Sequence, residues 1–209
     1  MGPVLADFGV QVVPGILVRP TKDFTPELIQ TLPTREACEQ VYYFEAIRDQ
    51  GYCVTMPSTS ALTYEENKGF NVTPLFETDS LVWNELQTTD FVDDTVTLDV
   101  ASGEVRQKYV TSVALTRPVG EREQRIMIFG DADCISNGEL GANREFRRSN
   151  YALTDGMFRW LVYDEYPIDV SRPAAKDNDT YLTPGGFAWI KIFLRWICPV
   201  PVSYTHLTL

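Results

Sequence analysis

Histidine is nearly absent from this chain, with a single residue, His206, among 209. A serine, threonine or cysteine nucleophile needs a base beside it, and histidine is the commonest one. Its scarcity weighs against triad-type hydrolases. Cysteine is sparse too: Cys38, Cys53, Cys134 and Cys198 form no C-x-x-C pair, so neither a zinc site nor a thioredoxin-like redox motif is supported. A Cys38–Cys53 disulfide stays open on sequence grounds. Basic residues are outnumbered, 18 Lys and Arg against 29 Asp and Glu, giving a net charge of -11. The cations are also scattered, which argues against a nucleic-acid partner, because phosphate binding needs them clustered. No basic leader and unbroken apolar run opens the chain; "MGPVLADFGVQVVPGILV" is cut by Asp7, Gln11 and Pro14, so no secretory signal is visible.

What is present is core material: 44% of residues are hydrophobic and 12% aromatic, enough for one sizeable domain. "VQVVPGILVR" (10–19) predicts a strand with a turn or bulge at Pro14-Gly15. "TREACEQVYYFEAIRDQG" (34–51) predicts a helix capped by Thr34 and stopped by Gly51. "YCVTM" (52–56) and "VTPLFET" (72–78) predict strands, the second followed by Asp79 and Ser80 as caps of a short helix "LVWNELQ". The acidic stretch "DFVDDTVTLDVASGEVRQ" predicts a loop or hairpin turning at "SGE". "KYVTSVALTR" and "RIMIFG" are two strong strands. In "NREFRRSNYALTDGMFRWLVYDE", Phe146, Leu153, Met157, Trp160 and Leu161 fall at helical spacing and predict an amphipathic helix. Near-continuous apolar strands mixed with helices predict an α/β fold with a mostly parallel sheet flanked by helices.

The end of the chain reads differently. Residues 202–209, "VSYTHLTL", can be encoded by GTC TCT TAT ACA CAT CTG ACG CTG, the transposon-end adapter of sequencing libraries. They are therefore expected to be an adapter-derived artefact, and His206 with them. Before them, "GGFAWIKIFLRWICPVPV" holds Trp189, Lys191, Arg195 and Trp196, residues suited to a bilayer interface. This predicts the start of a transmembrane helix. The expected organisation is a domain over 1–182, a membrane-proximal segment over 183–201 and the artefact over 202–209.

"LADFGVQVVPGILV", "RIMIFGDADCISN" followed by "NREFRRSNYALTDGMFRWL", and "AWIKIFLRWICPVPV" together resemble the auxiliary extracytoplasmic proteins of uncharacterised ABC-type transport systems, the gliding-motility type included. Gly130, Asp131, Asp133, Ser136, Asn137, Asn150, Trp160 and Leu161 match the family's pattern, whereas Cys134 stands where an aromatic is usual. The resemblance implies an amidotransferase-like or flavodoxin-like α/β domain on the periplasmic side of the cell membrane. It implies a single-pass C-terminal anchor, permease and ATPase subunits as partners, and no established catalytic residues. It also implies that the chain starts inside its domain.

"FGDADCISNGELG" (129–141) carries the candidate chemistry. Cys134 at a strand-to-helix elbow is a nucleophile's place, but its base is missing. Asp131 and Asp133 offer oxygen ligands for a hard cation or caps for the following turn; capping needs no cofactor and is the expected role. Ser58, Thr59 and Ser60, with Asp79 and Ser80, follow strands and would share a sheet edge with Asp131, Asp133, Ser136 and Asn137 as a ligand- or partner-binding crevice. The function expected is a non-catalytic accessory or ligand-sensing subunit without metal or cofactor. An amidotransferase-like or metal-dependent enzyme using Cys134 or Asp131 with Asp133 is the alternative.

Overall fold

A computed structural model describes residues 2–66, 68–88, 91, 96–142, 146–165 and 183–197. The chain divides into two compact units, Met1–Glu165 and Tyr166–Leu209.

In the first unit a short helix α1 (Gly2–Asp7) precedes β1 (Val10–Val12) and β2 (Ile16–Val18). The predicted break at Pro14-Gly15 separates these two strands. Gly15 has a φ of 109°, and a Cβ there would lie 2.5 Å from the Glu85 carbonyl oxygen, so only glycine fits. β3 (Leu28–Pro33) follows, a strand that sequence reading left unassigned. The helix expected over 34–51 is two short helices, α2 (Arg35–Gln40) and α3 (Glu45–Asp49), joined by a 3-10 turn at Tyr42–Phe44. The break falls at Val41 (φ -126°, ψ 86°), just where the β-branched and aromatic run begins. Thr34 caps α2 as expected, accepting from the Ala37 amide at 2.9 Å.

Then come β4 (Val54–Pro57), β5 (Leu62–Tyr64), β6 (Asn71–Glu77) and β7 (Trp83–Glu85). β7 occupies the place of the short helix expected at "LVWNELQ", pairing antiparallel with β2. The loop expected near "SGE" contains a 3-10 turn at Val100–Ser102 closed by Gly103 at φ 95°. β8 (Val110–Val119) and β9 (Arg122–Phe129) form a hairpin, followed by α4 (Asn137–Gly141) and α5 (Asn150–Leu161).

The expectation of a mostly parallel, flavodoxin-like sheet is overturned. The main sheet has the order β4-β3-β6-β8-β9, every pair antiparallel, curled into a half-barrel, with two ribbons, β1-β5 and β2-β7. The connection from β8 to β9 is two residues long, with Gly120 at φ 64°, a length only antiparallel neighbours allow. Continuous burial along β8, which suggested a parallel strand, has another cause: both of its faces are covered. Ala114 packs in a core with Phe44, Leu75, Phe76, Leu153 and Trp160, and Val113 and Leu115 pack with Val10, Leu62 and Phe70.

In the second unit, α6 (Pro184–Ile192) runs into a π-helical turn at Phe193–Ile197. At about 1.5 Å per residue, its 9 residues fall well short of the roughly 30 Å of a bilayer's hydrocarbon core. Among the described residues no helix is long and apolar enough to cross a membrane. The expected transmembrane helix, the single-pass anchor and the periplasmic placement built on it are withdrawn. The tail read as adapter-derived lies outside the described residues.

Candidate functional site

The Asp131 turn begins where β9 leaves the sheet. Gly130 donates its amide to Thr111 O (2.8 Å) and accepts from the Ser60 amide (3.1 Å). A Cβ at Gly130 would stand 2.0 Å from Ser60 O, so the turn and the 58–60 loop press backbone to backbone. Asp131 Oδ1 accepts the Asp133 amide at 2.7 Å, closing an Asx turn, while its Oδ2 is buried without a hydrogen-bond partner. Burial pushes the Asp131 carboxyl up to about 6, with amide hydrogen bonds opposing and the Asp133 and Glu139 charges adding to the rise. Cys134 is 1% exposed and its Sγ lies 3.4 Å from Asp131 O. Its thiol is pushed up to about 12, first by burial and then by the Asp131 charge, the opposite of what a nucleophilic thiolate needs.

Ser136 caps α4 by accepting the Glu139 amide at 3.1 Å, and Asn137, exposed, begins that helix. Beneath the turn lies a buried polar knot. Asn150 accepts from the Thr55 amide (3.1 Å) and hydroxyl (2.9 Å) and donates to Thr55 O and Cys134 O (both 2.8 Å). The Thr55 hydroxyl also bonds the buried Glu139 carboxylate. Arg148 donates to the carbonyls of Glu139, Leu140 and Ala142, satisfying the open end of α4. Residues 147–149 run parallel to the edge of β4, with Cys53 N bonded to Arg147 O (3.1 Å) and Ser149 N to Cys53 O (2.8 Å). Among the described residues no group of three or more His, Cys, Asp or Glu is placed to hold a metal ion. Cys38, Cys53 and Cys134 are free thiols.

The other sequence candidates separate into two places. Ser58, at φ 54°, Thr59 and Ser60 join β2 to the end of β9: Thr59 O accepts the Leu17 amide (2.9 Å) and Ser60 Oγ bonds Gly15 O (3.2 Å). Asp79 lies elsewhere. Its Oδ1 accepts the Leu81 amide at 2.8 Å and its Oδ2 pairs with Arg19 at 2.7 Å. Ser80 is exposed beside it.

Asp79 lines a cleft of about 510 Å³ over the open face of β3, with Arg19, Gln30, Leu32, Glu77, Lys108 and Arg147 among its walls. Lys108 Nζ pairs with Glu77 Oε1 at 2.6 Å. Phe146, expected on a helix, lines one wall instead and packs edge-to-face on Phe24 with ring centroids 4.7 Å apart. The cleft holds three cations against two carboxylates, and these carboxylates are engaged by Arg19 and Lys108. In a chain of net charge -11, this local excess of one cation lowers the repulsion a carboxylate-bearing ligand would meet.

Sequence reading missed this cleft apart from Asp79. Its floor was not legible in the sequence: in the structure Gln30 and Leu32 alternate with buried Ile29 and Thr31, but "LIQTLP" carries no period-two alternation of apolar and polar residues.

The fold and site together define an antiparallel-sheet domain with helices on one face and a charged open cleft. No protein-family model matches the chain, and no curated protein matches it. These comparisons lend no support to a transporter or gliding-motility role.

Proposed function

We propose that the first unit is a non-catalytic binding domain whose ligand occupies the cleft over β3. One observation carries the reading: the ion pairs Arg19–Asp79 and Lys108–Glu77 stand on the walls of a 510 Å³ cleft with Leu32 and Phe146 as its apolar surfaces. Clefts of this size with a few convergent polar groups are the usual form of small-ligand sites. The excess cation favours a ligand with a free carboxylate, and the apolar walls favour one with a hydrocarbon or aromatic side chain. By contrast, the Asp131 turn spends its amides and one carboxylate oxygen on its own backbone.

Isothermal titration with free amino acids, N-acetyl amino acids and dipeptides tests this. Binding of at least one class is expected, weakened about tenfold or more in Lys108→Met and Arg147→Met. Equal binding by the wild type and both variants, or no heat from any probe, overturns the reading.

The sequence resemblance supports placing this binding domain as an accessory or ligand-sensing subunit of an ABC-type transport system, with permease and ATPase subunits as partners. Co-purification of such subunits with the tagged chain from its native cells tests that assignment; their absence from the purified material counts against it.

A further inference from the structure

A second cleft, of about 660 Å³, is lined on one side by consecutive residues Ala61 to Tyr64 and on the other by consecutive residues Gln107 to Val110. Successive side chains of a strand point to opposite faces. A cleft that touches every residue in turn therefore runs along the edge of the chain, where the main-chain groups are, and not over one of its faces.

On β5 that edge is the one turned away from β1. The two strands pair in the register Gln11↔Thr63, with the Val13 amide donating to Ala61 O (2.9 Å) and the Glu65 amide to Gly9 O (2.8 Å). This pattern turns the main chain of Thr63 towards β1 and points the N–H and C=O of Leu62 and Tyr64 the other way. Among the described residues β5 has no second strand neighbour, and nothing bonds these four groups. Leu62 is 4% exposed, and buried main-chain groups ordinarily have partners. The facing side repeats the feature at Val110. It stands opposite Glu77, and the Thr78 amide donates to Tyr109 O (2.9 Å), so the N–H and C=O of Val110 point away from β6. Farther along β8 that side is taken by β9, but β9 ends at Phe129 opposite Ser112. Among the described residues the Val110 groups have no partner either.

We propose that this cleft is a second binding site, one that takes an extended peptide segment of a partner protein. The segment lies along β5 and bonds main chain to main chain, with Leu62 and Tyr64 on one side and Val110 on the other. Open donors and acceptors on both rims call for an occupant that carries both along its length, which is the chemistry of strand addition. The walls choose its side chains: Val13, Pro14, Leu86, Val105 and Tyr109 favour apolar residues at alternate positions. Of the described residues only Lys108 lines both this cleft and the one over β3, so the two sites are separable.

Amide exchange followed by NMR on the whole chain tests this, with and without a set of capped hexapeptides that alternate Thr with Val, Ile, Leu, Phe or Tyr. At least one member is expected to slow exchange of the Leu62, Tyr64 and Val110 amides by about tenfold or more, with the Thr63 amide unchanged. Versions of that peptide N-methylated at alternate residues keep the side chains but lose the donors of one edge, and should bind about tenfold or more weakly. No slowing with any member overturns the proposal, as does equal binding by the N-methylated versions. Spectral shifts confined to Gln30, Leu32, Phe146 and Arg147 would put the peptide in the cleft over β3, overturning the second site while leaving the first reading standing. Slowed exchange that appears with rising protein concentration alone, together with a dimer in sedimentation, would give the edge to a second copy of the chain and overturn the proposal as well.

Discussion

Asn150 meets all four of its hydrogen-bonding needs inside the protein, two as acceptor and two as donor, and is 1% exposed. Truncation would orphan the Thr55 amide, Thr55 O and Cys134 O together, and buried unsatisfied groups cost about 1–3 kcal/mol each. Asn150→Ala should therefore destabilise the fold by about 3 kcal/mol or more, read from urea unfolding midpoints at constant slope; a loss below about 1 kcal/mol would show that the knot is replaceable. Asp131 gives a prediction in pH. Its folded value of about 6 lies above its ordinary 3.8, so the folded state binds the proton more readily than the unfolded one. The stability this carboxyl contributes is present at low pH and is lost as pH rises through about 6. Asp131→Asn keeps an oxygen to accept the Asp133 amide but cannot ionise. Melting curves should show the variant gaining on the wild type between about pH 4 and about pH 7, and parallel curves would refute the cause assigned here. At this scale part was legible: a strand followed by "GDADCISN" announces Asx caps, and Asp131 acts as one, whereas Asp133 gives that turn its amide and the cap of α4 falls to Ser136, which was expected in a binding crevice. Asn150's role was not, because its partner Thr55 lies 95 residues away and no local pattern encodes that meeting.

Among the elements, α5 shows how packing overrides propensity. Its buried stripe of Leu153, Gly156, Met157 and Trp160 follows the expected helical spacing, yet Gly156 sits in mid-helix, where alanine would ordinarily be better by about 1 kcal/mol. The reason is close approach: a Cβ at Gly156 would lie 2.8 Å from Tyr43 Cβ and 3.0 Å from Phe44 Cε1. Gly156→Ala should therefore destabilise by about 1–3 kcal/mol despite the propensity gain, measured by thermal or urea unfolding; a stabilised variant would mean that the 3-10 turn yields easily. The helix starts at Asn150 rather than at Phe146 because residues 147–149 are taken by the edge of β4. That competition is tertiary and invisible to periodicity. β7 was likewise misread: "LVWNELQ" after Asp79-Ser80 has a helix-start signature, but Trp83–Glu85 finds an antiparallel partner in Ile16–Val18. β8 and β9 were legible as strands, whereas their direction was not, since burial on both faces imitates a parallel strand.

For the whole molecule, the boundary at Glu165 has a physical basis in the way the first unit closes. Arg125 donates to Trp160 O at 2.7 Å and lies over the Tyr163 ring at 3.6 Å, while the Glu123 amide donates to the Tyr163 hydroxyl at 2.8 Å. Arg122 pairs with Glu165 at 3.1 Å. These contacts pin the exit from α5 onto β9, so the last residues of the unit are held by the unit itself. Among the described residues, the four core clusters also draw all their members from positions before 166. A chain ending at Glu165 should accordingly keep a single cooperative unfolding transition, with a melting temperature within about 5 °C of the full chain, because the described core clusters and the contacts that pin the exit from α5 are all retained in it. Calorimetry on the two chains decides it. Loss of cooperativity in the shorter one would mean that residues beyond 165 complete the core, and would reopen the division of the chain that sequence reading set at 182. Ligand titration on the same shortened chain adds a second constraint, since every described residue lining the cleft over β3 precedes position 166. Binding should therefore survive the truncation with unchanged affinity; if it disappears while the fold persists, the cleft is not the place where the ligand is held.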